Sequence, residues 1–174
     1  TAQLIPADET IKATVITREE AVLCGCDWVK EVFKQLDADV EIVWHAKEGE
    51  QLIANQKIFS LSGNARSILT GERCALNFVQ SLSYTASVAR EYAQLVKDTK
   101  LTVLDTRKTI PGWRIAQKYA VTVGGAQNHR VGLYDAFLIK ENHIMAAGSI
   151  NKAISQAKNI APGKTIEVES ENLD

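Results

Sequence analysis

Residue types able to do chemistry crowd between positions 105 and 143. Arg107, Lys108, Arg114, Lys118, Arg130 and Lys140 stand there with His129 and His143, against only Asp105, Asp135 and Glu141. A guanidinium donates two parallel hydrogen bonds to a planar carboxylate or a phosphate. Several such groups converging at one place would suit a small polyanion: a dicarboxylate, a phosphate or both. The same cations spread over a solvated face would bind nothing in particular. The elements that carry them decide between the two.

Two apolar segments, 101–105 and 136–139, read as strands, and each runs directly into basic residues. The first leads into Thr106-Arg107-Lys108, the second into Lys140-Glu141-Asn142-His143. In α/β folds, ligands gather at the C-terminal ends of the strands. The loop Gly124-Gly125-Ala126-Gln127-Asn128-His129-Arg130 adds polar groups beside a glycine pair that permits tight geometry. A third strand is expected over 165–170. Ile166 and Val168 share one of its faces, while Glu167, Glu169 and Glu171 share the other. Buried carboxylates are costly unless paired or metal-bound. Either this strand has a wet edge face, or its glutamates meet the basic rim or a metal.

Between these strands the pattern is helical. Pro111 suits an early helix position and Gly124-Gly125 a helix stop. Ser149 can cap a helix whose stripe is Ile150, Ala153, Ile154 and Ala157. The order is βαβαβ, which implies parallel strands with crossover helices, doubly wound or barrel. Three strands do not close a barrel. Upstream, Ala75, Phe78, Val79, Leu82, Ala86, Ala89, Tyr92 and Val96 form an apolar stripe at helical spacing. One long helix is expected there, interrupted or kinked near Gly71 and ending around Lys97. The first part reads as α+β. Strands are expected at 11–17, 21–24, 40–44 and 57–61, with a helix over 28–36. Domains are expected at 1–77 and 78–174.

Composition narrows the class. The 174 residues are 45% hydrophobic and 24% charged, which excludes a disordered tail or a rod. No apolar run reaches membrane-spanning length, and no signal peptide is read at the N-terminus. Net charge is −1, so nothing global suggests nucleic acid. The distribution is uneven: residues 1–77 carry 8 Lys/Arg and 12 Asp/Glu, and residues 78–174 carry 12 and 9. Cys24, Cys26 and Cys74 fit no disulfide or zinc framework, and read as free thiols of a reducing cytoplasm. Neither a dinucleotide-binding glycine motif nor a P-loop occurs, and there is no nucleophile elbow.

Five blocks together carry a family resemblance: Thr70-Gly71-Glu72-Arg73-Cys74-Ala75-Leu76-Asn77, Asp105-Thr106-Arg107-Lys108-Thr109-Ile110-Pro111-Gly112, Lys118-Tyr119-Ala120-Val121, Asn128-His129-Arg130 and Ile139-Lys140-Glu141-Asn142-His143. In order and spacing they resemble the quinolinate phosphoribosyltransferase family along essentially the whole chain. The resemblance implies an N-terminal α/β sandwich domain joined to part of an incomplete α/β barrel, with the chain truncated at both ends relative to the family. It implies transfer from 5-phosphoribosyl 1-diphosphate to quinolinate with decarboxylation, giving nicotinate mononucleotide, diphosphate and carbon dioxide with Mg2+, in the cytoplasm and in de novo NAD biosynthesis.

Roles follow from the resemblance alone. Arg107, Arg130 and Lys140 would grip the quinolinate carboxylates with His129 alongside. Thr106 and Lys108 join them as substrate-binding residues, Lys108 also touching the donor. Lys140 and Glu169 are the implied catalytic pair, and Glu169 would line the donor or metal site. Arg73 would enter the active site of the neighbouring subunit, so a homodimer or higher assembly is implied. Tyr84, Ala126 and Ser170 depart from the family's usual residues without removing a site residue. The fragment alone is expected to be inactive. Alternatives are a related nicotinate-type transferase, an inactive anion-binding subunit, or an N-terminal carrier module modified at Lys57.

Overall fold

The computed structural model describes residues 1–172 and is mixed α/β, as expected. The chain forms two compact units. The first comprises residues 1–105 and 109–128; the second comprises 106–108 and the chain from 129 onward.

In the first unit, β1 (Thr10–Ile16), β5 (Lys57–Asn64) and β3 (Glu41–Trp44) make an antiparallel sheet with β5 in the centre. Thr10 pairs with Asn64, and Trp44 with Phe59. Alternation in β1 sends Ile11, Ala13 and Val15 toward the core, the period-two pattern of a half-buried strand. Lys57 opens a paired strand and is no hairpin tip, which removes the geometry a carrier module needs. A second pair, β2 (Ala21–Val22) with β4 (Gln51–Leu52), is short.

Helix α1 (Cys26–Leu36) starts at Gly25, whose φ is +109°. The Glu48 carboxylate accepts the N–H groups of Gly25 and Cys26 at 2.9 and 3.0 Å, placing an anion at the positive end of the helix. Helix α2 (Ala65–Val96) is capped by the Asn64 side chain, which accepts from the backbone N–H groups of Arg66 and Ser67. The expected interruption at Gly71 is absent. Gly71 lies within one continuous helix, because that is where α1 crosses it. A Cβ there would stand 2.8 Å from the Phe33 ring and the Leu36 side chain. Here glycine serves close packing rather than a bend.

Helix α3 (Arg114–Gly124) packs on α2 so closely that a Cβ on Gly124 would lie 2.4 Å from the Ala86 carbonyl oxygen and 2.5 Å from Ala89 Cβ. Arg90 donates to the carbonyls of Gly124 and Val123 at 2.7 and 3.2 Å, satisfying the open end of α3. The helix begins at Arg114 rather than at Pro111. Gly112, at φ +79°, turns the chain first, and the Trp113 N–H closes the turn on the Ile110 carbonyl. The glycine stop at 124–125 holds, with Gly125 left-handed.

The strand expected over 101–105 does not form. One parallel bridge joins Leu104 to Gln127: the Gln127 N–H donates to the Val103 carbonyl at 2.9 Å, and the Asp105 N–H donates to the Gln127 carbonyl at 3.0 Å. A ladder needs a partner of matching length, and here that partner is the short stretch around Gln127.

The second unit is built on β6 (Ala136–Ile139) and β7 (Thr165–Val168), paired in parallel with Ala136 opposite Thr165 and Ile139 opposite Val168. Helix α5 (Ile150–Ile160) is capped by Ser149 as expected. Its Ala153 and Ala157 pack with Ile139, Ile166 and Val168. A short helix not read from the sequence, α4 (Glu141–Ala147), follows β6 at once.

Candidate active site

Every expected site residue but one belongs to the second unit. Thr106, Arg107 and Lys108 enter it as a separate segment, and His129, Arg130, Lys140 and Glu169 lie in its continuous stretch. Arg73 is the exception. It sits exposed on α2 in the first unit.

The parallel register of β6 and β7 sets the central geometry. The Glu169 N–H donates to the Ile139 carbonyl at 2.8 Å, so the pairing runs one step past the end of β7. Lys140 and Glu169 therefore emerge side by side at the C-terminal ends, and Lys140 Nζ lies 2.7 Å from Glu169 Oε2. The hydrogen bond from Lys140, then its charge, hold the Glu169 carboxyl below the usual carboxylate range, with Lys108 adding a smaller attraction. The Lys140 backbone N–H donates to His143 Nδ1 at 3.0 Å, fixing the turn from β6 into α4.

One step back along β7, Glu167 Oε2 meets His129 Nε2 at 2.6 Å. The charged face of β7 thus meets basic residues, one glutamate to His129 and the next to Lys140. The sequence places Glu167 on that face, with a wet edge, the basic rim or a metal as its alternatives, and does not name its partner. Its partner lies 38 positions away, and spacing carries no sign of it.

Arg130 is half-buried. Its Nη1 donates to the Ala136 carbonyl at 3.2 Å, while its Nε is buried with no hydrogen-bond partner. Buried polar groups are nearly always paired. A planar donor left open suits a planar acceptor such as a carboxylate. The following loop is held by Asp135, which accepts from the N–H groups of Val131 and Gly132 at 2.6 and 3.3 Å. In the 106–108 segment, Thr106 Oγ1 accepts the Lys108 N–H at 3.1 Å, shaping the turn that carries Arg107.

Among the described residues, no three His, Cys, Asp or Glu side chains gather as a metal site. Glu169, the one carboxylate expected at a metal, is engaged by Lys140. These residues do not by themselves form a magnesium cage. As arranged, the unit supplies cations, an open guanidinium donor and a histidine–carboxylate pair: the means to grip and orient a polyanion.

Known proteins resemble the chain along nearly its whole length. The model of the quinolinate phosphoribosyl transferase N-terminal domain matches residues 1–83, and that of the C-terminal domain matches residues 85–174. A probable nicotinate-nucleotide pyrophosphorylase (carboxylating) of Bacillus subtilis is 40% identical over 171 residues, which is 98% of this chain and 59% of that protein. A quinolinate phosphoribosyltransferase (decarboxylating) of Nicotiana tabacum, named as mitochondrial, is 36% identical over 86% of this chain and 42% of its own. The solved nicotinate-nucleotide pyrophosphorylase of Francisella tularensis is 53% identical with a TM-score of 0.96, over 99% of this chain and 61% of that one. The chain thus spans about 60% of the length of its bacterial relatives. The two domain models together match nearly every residue of the chain, and the chain belongs to the quinolinate phosphoribosyl transferase family.

Proposed function

We propose that the full-length protein transfers the phosphoribosyl group of 5-phosphoribosyl 1-diphosphate to quinolinate, releasing diphosphate and carbon dioxide and leaving nicotinate mononucleotide. Family membership supports the reaction class. The observation that carries the substrate is the Arg130 Nε, buried and open in the unit that also holds Arg107, Lys108, His129 and Lys140. That set fits two carboxylates better than one.

The chain's own residues position rather than react. Arg107, Arg130 and Lys140, with His129 alongside, hold the pyridine acid so that its ring nitrogen faces the sugar. The nitrogen attacks the anomeric carbon as the bond to diphosphate breaks, and positive character develops on the sugar. Glu169 offsets that charge, while Lys108 and Thr106 lie toward the departing diphosphate. The carboxylate next to the new pyridinium then leaves as carbon dioxide, and the carbon it leaves takes a proton from solvent. Magnesium would arrive as counter-ion of the donor's diphosphate, as part of the substrate.

A homodimer, with Arg73 entering the neighbouring subunit, completes the proposal. So does a cytoplasmic location, which suits the free thiols of Cys24, Cys26 and Cys74. No helix among the described residues is long and apolar enough to cross a membrane.

Calorimetry on the full-length protein tests the reading. Quinolinate is expected to bind at least about tenfold tighter than nicotinate, and Arg107→Ala should abolish the difference. Equal affinity for the two acids in the unmodified protein would overturn it.

A further inference from the structure

Lysine is rarely buried, and a buried ammonium is costly unless paired and hydrogen-bonded. Lys118, on α3, is 2% exposed. Its Nζ donates to Asp105 Oδ1 at 2.5 Å, and the Asp105 side chain is as nearly enclosed. With its amide nitrogen turned inward, Asn128 donates to the other Asp105 oxygen at 2.8 Å and to the Lys118 carbonyl at 2.9 Å. All three residues lie in the first unit.

Their places along the chain give the cluster its meaning. Asp105 is the last residue before Thr106-Arg107-Lys108, and Asn128 is the last before His129-Arg130. The two stretches run parallel for a single bridge, Leu104 with Gln127. No longer ladder fixes their register. Lys118 and its partners do what a ladder would otherwise do, at the point where both cation-bearing segments depart. A pair of apolar residues would fill such a site at no greater cost in stability. What apolar packing lacks is directional bonds to two separate chain ends.

We infer that Lys118, through its buried ion pair with Asp105 and the Asn128 hydrogen bonds beside it, is a positioning residue that sets the departure points of Thr106–Lys108 and His129–Arg130. The inference deepens the phosphoribosyl-transfer reading and rests on it for its functional consequence.

The test uses the full-length protein. Lys118→Met alone strands a buried aspartate and should unfold or strongly destabilise the chain. The deciding variant is therefore the double change Lys118→Met with Asp105→Leu, which removes both charges together. It is expected to melt close to the unmodified protein. Amide hydrogen exchange over 106–108 and 129–130 should nonetheless rise at least about tenfold, with exchange in β1 and β5 unchanged. KM for quinolinate should rise about tenfold with kcat much less affected.

Unchanged exchange and unchanged KM in a stable double variant would show a brace for packing only and overturn the inference. Should the double variant fail to fold, Asn128→Ala decides. That change leaves the ion pair intact and should speed exchange at 129–130 alone, and no change there overturns the inference equally. If the unmodified protein does not turn over quinolinate, the functional reading falls, while the exchange measurements still settle the role of Lys118.

Discussion

Lys140 Nζ and Glu169 Oε2 stand 2.7 Å apart across the ends of two parallel strands, yet both side chains remain about half exposed. An ion pair in that setting contributes only about 0–1 kcal/mol to stability. Stability gains little from it, so the proposed role toward the substrate can be tested apart from folding. Lys140→Met should therefore leave the melting temperature almost unchanged. It should weaken quinolinate binding about 10–150-fold, the worth of one charge-assisted hydrogen bond of about 1.5–3 kcal/mol. Calorimetry and thermal melting on the same sample check this. A large drop in melting temperature with intact affinity would make the pair a structural clamp.

Arg130 tests shape rather than charge. Its Nη1 is used by the Ala136 carbonyl, and its Nε is buried and open. Lysine keeps the charge but has neither the fork nor the reach to bond a carbonyl and a carboxylate together. Arg130→Lys should weaken quinolinate binding about tenfold or more. Near-equal binding would mean that only the positive charge counts.

Gly124 is where α3 meets α2 most tightly, with backbone on the far side of the missing Cβ. Side chains can rotate away, but the Ala86 carbonyl cannot move without disturbing α2. Gly124→Ala should destabilise the chain by about 2–4 kcal/mol. Gly163→Ala, at φ +82° with open space around it, should cost only about 1 kcal/mol of backbone strain. Urea midpoints for the two variants give the comparison. Equal losses would remove the close-packing account.

Much of the scaffold is legible in the sequence because its signals are local. Ser149 caps its helix, Gly124-Gly125 ends another, and the stripe from Ala75 to Val96 lies on one helix. The misses share a cause: each depends on a partner distant in sequence. Gly71 reads as a break until Phe33 is seen across it. The segment 101–105 reads as a strand until its bridge partner among the described residues proves to be a short stretch at Gln127. In the site, Lys140 is readable as a strand-end residue after β6, whereas Arg107 and Lys108, expected after a strand, follow a single bridge between Leu104 and Gln127. The pairing of His129 with Glu167, and the burial of Lys118 against Asp105, are tertiary facts with no local period.

Glu48 offers a measurement of pH against stability. Burial alone would raise its pKa. Hydrogen bonds from the Cys26 thiol, the Gly25 and Cys26 backbone and the Cys24 thiol outweigh burial and hold it below the ordinary 4.5. The same carboxylate, after burial itself, pushes the Cys24 and Cys26 thiols far up, so neither is a ready nucleophile. A depressed carboxyl contributes stability that is complete above its unfolded value. That contribution is lost as pH falls through the lower folded value. Glu48→Gln should therefore cost about 1–2 kcal/mol at pH 7, where the anion at the start of α1 is replaced by a neutral acceptor. The gap between variant and unmodified protein should close as the pH is lowered from about 5 toward 3, because protonation makes the two chains alike. Urea unfolding midpoints at four pH values across that range read the effect directly. A gap that stays constant with pH would show that Glu48 acts through its shape, and that its charge at the helix start contributes nothing.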